Sequence, residues 1–238
     1  MSTDALRRSS RSGVDVRLGL SAHWLWLGFG FVVAFAVPFV LADQLDVNRD
    51  LYYGLYAAVV LGLIGLWARA TGYDLVVAVR RRRPLAVALG AAAAAVLAVM
   101  VLRTEDATPR PDGLELLGAV LWRGVAYGLV DGLLLSVFPI LAVFAALAGS
   151  RLDDSWSGKV AIGAVALAAS LAMTAFYHLG YGEFRSSEVR KPVTGDVVWS
   201  VPTLVTLNPV GAPIAHVGLH VAAVLHSYET DTFLPPHE

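Results

Sequence analysis

From Leu114 to Ser150 the sequence is almost unbroken apolar residues, with Glu115, Arg123 and Asp131 its only charged side chains. As one helix it would be about 54 Å long, more than a bilayer's thickness. The chain must therefore tilt and kink it, or split it near Gly124–Gly132, with Pro139 as a second candidate break. Further apolar runs flank it at His23–Ala42, Leu51–Ala68, Leu85–Leu102 and Val160–His178. Each is long enough to span about 30 Å of hydrocarbon as a helix. A last one ends the series, within Asn208–His226 (NPVGAPIAHVGLHVAAVLH). The expected fold class is all-α: a polytopic transmembrane helical bundle of six to seven spans.

Composition agrees. The 238 residues are 57% hydrophobic and 16% charged, against about 25% charged in a soluble domain. One transmembrane domain over residues 22–226 is expected, between a basic tail (1–21) and a polar C-terminal tail (227–238). A net charge of −1 argues against nucleic acid as a partner and leaves membrane lipids. With no cysteine, disulfides and thiolate metal sites are excluded. The N-terminal tail is too long and the following apolar run too extended for a cleaved signal peptide, so the first span reads as a retained anchor. Abundant Ala, Val, Gly and Arg with scarce Lys points to a prokaryotic gene.

Arginine and lysine set the orientation. Four lie in the tail, five at Arg69 and Arg80–Arg83, and two at Arg151 and Lys159, eleven of the chain's eighteen on one side. The expectation is a multi-pass protein of the plasma membrane with a cytoplasmic N-terminus. The Arg80–Arg83 run reads as an ordinary cytoplasmic topology signal, or alternatively as a patch for anionic lipid.

The polar residues inside these runs are the candidates for chemistry. His216 and His220 stand four apart, on one face of a helix. Such pairs commonly ligate a divalent metal. His178, closing the preceding span, could add a third imidazole, and Asp131 or Glu183 a carboxylate. Imidazole and carboxylate without thiolate suit zinc best. The competing reading is interhelical hydrogen bonding. Asp131 is an intramembrane acid, the kind that marks ion pathways or metal sites; its bland alternative is a salt bridge to Arg123. Gly128 and Gly132 form a small-xxx-small face for another helix. Glu183 and Arg185 read as a surface pair, and His23 with Trp24 as an interfacial anchor. Pro202, Pro209 and Pro213 break the chain before the last helix. Asn208-Pro209 is its expected N-cap and first residue. Thr194–Leu207 then becomes a re-entrant or interfacial segment, with His178 and His216 at similar depth.

LWRGVAYG, TAFYHLGYG and NPVGAPIAHVGLH, in that order on successive segments, resemble the CPBP intramembrane proteases (the CAAX-protease and bacteriocin-processing family) over about residues 114–226. That family's pattern is Glu-Glu-x-x-x-Arg, Phe-x-x-x-His and His-x-x-x-Asn. The resemblance aligns Arg123, His178 and His216 with the motif arginine and histidines. Gly118 and Ala119 replace the two glutamates, Thr174 the phenylalanine and His220 the asparagine. It implies a membrane-embedded hydrolase with Asp131 and Arg123 as catalytic groups and a divalent metal on His178, His216 and His220. Glu183 and Asn208 are further polar candidates. The alternatives are a proton-linked or small-molecule transporter, or a non-catalytic assembly protein.

Overall fold

The computed structural model describes residues 22–229 and 233–234, which are helices and turns with no strand among them. The basic tail lies outside the described residues. The helices are α1 (Ala22–Gln44), α2 (Arg49–Thr71), α3 (Leu75–Arg80), α4 (Arg83–Thr104), α5 (Gly113–Leu147), α6 (Trp156–Leu179), α7 (Arg190–Thr206) and α8 (Gly211–His226). Of these, α1, α2, α4, α5 and α6 are long and apolar enough to cross a membrane, and α8 is a shorter apolar helix. The bundle therefore has five to six spans rather than six to seven, because the 114–150 stretch stays one helix.

Side chains are sorted as a lipid solvent demands. Leu25, Val32, Leu66 and Val96 point outward, whereas Tyr52, Tyr56, Tyr177 and Tyr181 are buried. Polar groups left in hydrocarbon are costly, so they turn inward. At the centre is α5, with 78% of its most apolar window buried against 22–39% for the other four long helices. Its 35 residues avoid a break through two π-helical segments, Val120–Ala126 and Leu133–Val137. A π segment widens the turn and re-aims the faces beyond it. The second ends just before Pro139 and relieves the ring's crowding of the preceding turn.

Glycines on α5 set its distance from α8. A Cβ at Gly124 would lie 2.8 Å from Val221, at Gly128 2.9 Å from the Val217 Cα, and at Gly132 2.6 Å from the Pro213 Cα. Only glycine admits that approach, and the partner of the small-xxx-small face is α8.

Two expectations for the last third are corrected. The polar segment after His178 is helical from Arg190, and α7 runs through Pro202 to Thr206. The break falls at 207–210, and α8 starts at Gly211 with Val210 as its N-cap, not at Asn208-Pro209. Asn208 instead bolts two links together. Its Nδ2 donates to the carbonyls of Val79 (2.9 Å) and Arg81 (2.6 Å), and its Oδ1 accepts from Val210 N–H (2.8 Å). Thus α8 starts beside the Arg80–Arg83 loop, at the opposite end of the bundle from the end of α6. His23, expected at an interface, is buried and accepts from Trp67 Nε1 at 3.1 Å.

Candidate metal centre

Asp131 lies between the two π segments of α5, directly before Gly132, where α8 comes closest. That approach carries His216 and His220 to it. Asp131 Oδ2 is 3.3 Å from His220 Nε2 and 3.8 Å from His216 Nδ1. Each of the three residues offers a ligand atom, all within 4.8 Å of one another, and all three side chains are buried. Metal bonds of about 2.0–2.2 Å in a tetrahedron put ligand atoms about 3.3–3.5 Å apart. A buried Asp/His/His group that could hold a metal is therefore present.

Hydrogen-bond accounting limits what can lie between these groups. A backbone carbonyl only accepts, so the 2.7 Å contact from His220 Nδ1 to Phe233 O fixes the proton on Nδ1. Nε2 is then left facing a carboxylate oxygen. Two acceptors face to face require a proton or a cation between them. The other oxygen, Asp131 Oδ1, accepts from Tyr56 O–H at 2.7 Å. His216 is 1% exposed, and neither of its ring nitrogens has a hydrogen-bond partner. Trp199 and Tyr127 flank the imidazoles, with centroids 4.6 Å from His216 and 4.8 Å from His220 respectively.

The triad faces a cavity of about 590 Å³ whose walls include Met100, Leu135, Val198, Leu219 and Phe233. Its mouth carries Glu105, Arg190 and Lys191. Burial raises the Glu105 carboxyl above its ordinary range, with Lys191 partly opposing the shift. The ion pair with Glu188 raises Lys191.

The remaining sequence candidates separate. His178 lines this cavity but stands outside the triad, and its Nδ1 contacts the Thr174 carbonyl at 2.8 Å. His178, in the last turn of α6, and His216, in the second turn of α8, both line the cavity. Arg123 is not at the site: it clasps Asp50 of α2 with Nε and Nη2, at 3.0 and 2.9 Å. Its expected alternative partner, Asp131, is held elsewhere. Glu183 sits exposed on a turn beyond α6 and does not line the cavity. Arg185 pairs with Asp43 at 2.9 Å.

Sequence reasoning missed the tyrosines. Tyr127, on the cavity wall, bonds Tyr177 at 2.6 Å. Tyr177 bonds Tyr181 at 2.7 Å, and Tyr181 bonds Tyr52 at 2.6 Å. The i, i+4 spacing of Tyr52/Tyr56 and of Tyr177/Tyr181 within apolar helices was the available signal.

Fold and site together define a helical bundle with membrane-crossing helices and a buried carboxylate–imidazole centre. No protein-family model, curated protein or solved structure matches the chain.

Proposed function

We propose that the chain is a metal-dependent hydrolase working inside the membrane, with Asp131, His216 and His220 holding one divalent cation, zinc by its donor set. The observation that carries this is His216, on the cavity wall with neither ring nitrogen hydrogen-bonded and Nδ1 3.8 Å from Asp131. A group bound from the cavity would relieve that arrangement, since a buried unsatisfied polar group costs about 1–3 kcal/mol. A divalent cation held by Asp131, His216 and His220 would supply Lewis acidity and water activation.

The chain's own residues do the rest. Tyr56 orients Asp131, and the Phe233 carbonyl orients His220, the partners that aim ligand atoms in metal sites generally. His178, with Nδ1 against the Thr174 carbonyl, keeps Nε2 to accept a proton. The apolar walls favour an amphipathic substrate, and the mixed charges at the mouth hold its polar end. The resemblance to the CPBP proteases bears on this reading through His178 and His216; Arg123, the third matched residue, is bound to Asp50, and Asp131 stands in for the two absent glutamates.

The test is turnover by tag-free protein in nanodiscs, using fluorogenic amphipathic esters and peptides. Expected are hydrolysis that a chelator removes and zinc restores, its absence in His216→Ala, and a fall of about 100-fold or more in His178→Ala. Hydrolysis indifferent to both chelator and His216→Ala overturns the proposal. The tyrosine hydroxyl chain favours a second reading, a proton-linked carrier. A proton flux in proteoliposomes that Tyr177→Phe abolishes, with no hydrolysis, selects that reading.

A further inference from the structure

A second hollow, of about 460 Å³, lies between α2, α5 and α8, and Tyr127 lines both it and the metal-centre cavity. Its walls are almost wholly apolar, with the small side chains of Ala57 and Ala126 facing Ile214 across it. Leu61, Trp122 and Leu129 also line it and are exposed, so it is a groove open to the surrounding hydrocarbon and not a sealed void. Along α2 it runs from Tyr53 to Leu61, and along α5 from Trp122 to Leu133, about 12 and 16 Å of helix. One leaflet's share of a hydrocarbon core is about 15 Å. The groove therefore suits a single hydrocarbon chain lying along the helices.

One end of the groove is polar. Tyr53, in the second turn of α2, is 2% exposed, and its hydroxyl has no hydrogen-bond partner. A buried hydroxyl left so costs about 1–3 kcal/mol. The charges that act most strongly on it are the guanidiniums of Arg49 and Arg123. Arg49 is the first residue of the α2 span, so this end of the groove lies at the membrane boundary. Trp122 stands there too, as tryptophan does at the headgroup level. A hydroxyl that lacks an acceptor, beside two guanidiniums, favours a negatively charged oxygen group, and arginine matches phosphate in particular.

We propose that this groove binds one anionic phospholipid, with an acyl chain between α2, α5 and α8 and the phosphate at Tyr53, Arg49 and Arg123. The lipid belongs to the leaflet at the cavity mouth: Arg123 also lies against Tyr228, just past the end of α8, where His226 contacts the Glu105 carbonyl. Tyr53 stacks on Tyr127 with centroids 3.9 Å apart, and Tyr127 meets His220 at 4.8 Å. The bound chain thus backs one wall of the metal centre.

The experiment is native mass spectrometry of the detergent-purified, delipidated full chain, titrated with dioleoyl phosphatidylglycerol or dioleoyl phosphatidylcholine. Expected is one phosphatidylglycerol per chain at saturation, bound about fivefold or more tightly than phosphatidylcholine. Tyr53→Phe, which removes only the hydroxyl, should weaken that binding about tenfold. Ala126→Phe, which fills the groove, should abolish it, whereas Leu66→Phe, exposed on α2 outside the groove, should leave it unchanged. Should Ala126→Phe fail to fold, Tyr53→Phe and the comparison of the two lipids still decide. Equal binding of the two lipids, or a Tyr53→Phe variant that binds as the wild type does, overturns the proposal. A dimer that forms without lipid and that Ala126→Phe breaks overturns it in favour of a second copy of the chain.

Discussion

His216 separates a metal centre from hydrogen-bonded glue by the sign of one substitution. Both its nitrogens are buried and unpartnered. Without a cation, His216→Leu removes polar atoms that no protein group hydrogen-bonds, and stability should hold or rise by up to about 1–3 kcal/mol. With a cation it removes a ligand, and stability should fall. The expected outcome is a lower Tm than wild type in zinc and an equal or higher Tm in chelator, read by thermal unfolding in detergent. A variant less stable in both conditions contradicts the ligand role. Tyr56→Phe tests the support of Asp131: losing one hydroxyl proton from Oδ1 should weaken zinc binding about 10–100-fold while leaving the fold intact. Titration against a competing zinc indicator measures it, and unchanged affinity means that Tyr56 does not orient the carboxylate. At this scale the sequence was partly legible. An acid and an i, i+4 histidine pair in apolar runs must be turned inward, and the structure brings the three together. Arg123 was not legible, because its partner Asp50 lies on another helix and no local pattern links them.

At the scale of elements, the site depends on how closely α8 approaches α5. Gly128 faces the Val217 backbone, one residue after His216. Gly128→Val should force the helices apart, abolish zinc binding and lower stability by an amount typical of overpacking, about 1–3 kcal/mol. Gly118→Val, on the same helix with nothing within 4 Å of its Cβ position, is the control and should do neither. Equal zinc affinity in Gly128→Val and wild type would show that the glycine contact does not position the triad. The glycine spacing announced this packing face in the sequence. The course of α7 was hidden, because its first turns (RKPVTG) are polar and carry a proline, so they read as a loop. That misreading also put α8's start at the wrong end of the bundle.

In the whole molecule, α4 runs from Arg83, beside the arginine loop, to Thr104 at the cavity mouth, where Glu105, Arg190 and Lys191 also lie. The cavity therefore opens at the end opposite Arg80–Arg83. If those arginines face the cytoplasm, as positive charge normally does, the mouth faces outward. The chain has no cysteine, so single cysteines report this without background. Lys191→Cys should react with an impermeant maleimide on intact cells, and Arg82→Cys only after lysis; the reverse pattern inverts the topology. Hydropathy made the class of fold legible, whereas the mouth's position required knowing which helix ends meet. The claim on which the rest turns is that Asp131, His216 and His220 hold a metal. Elemental analysis of detergent-purified, tag-free protein after growth in zinc-sufficient medium measures it most directly. Expected is about one zinc per chain, lost in His216→Ala and retained in Arg123→Lys. Wild-type protein free of metal, and unmoved in Tm by added zinc, contradicts it.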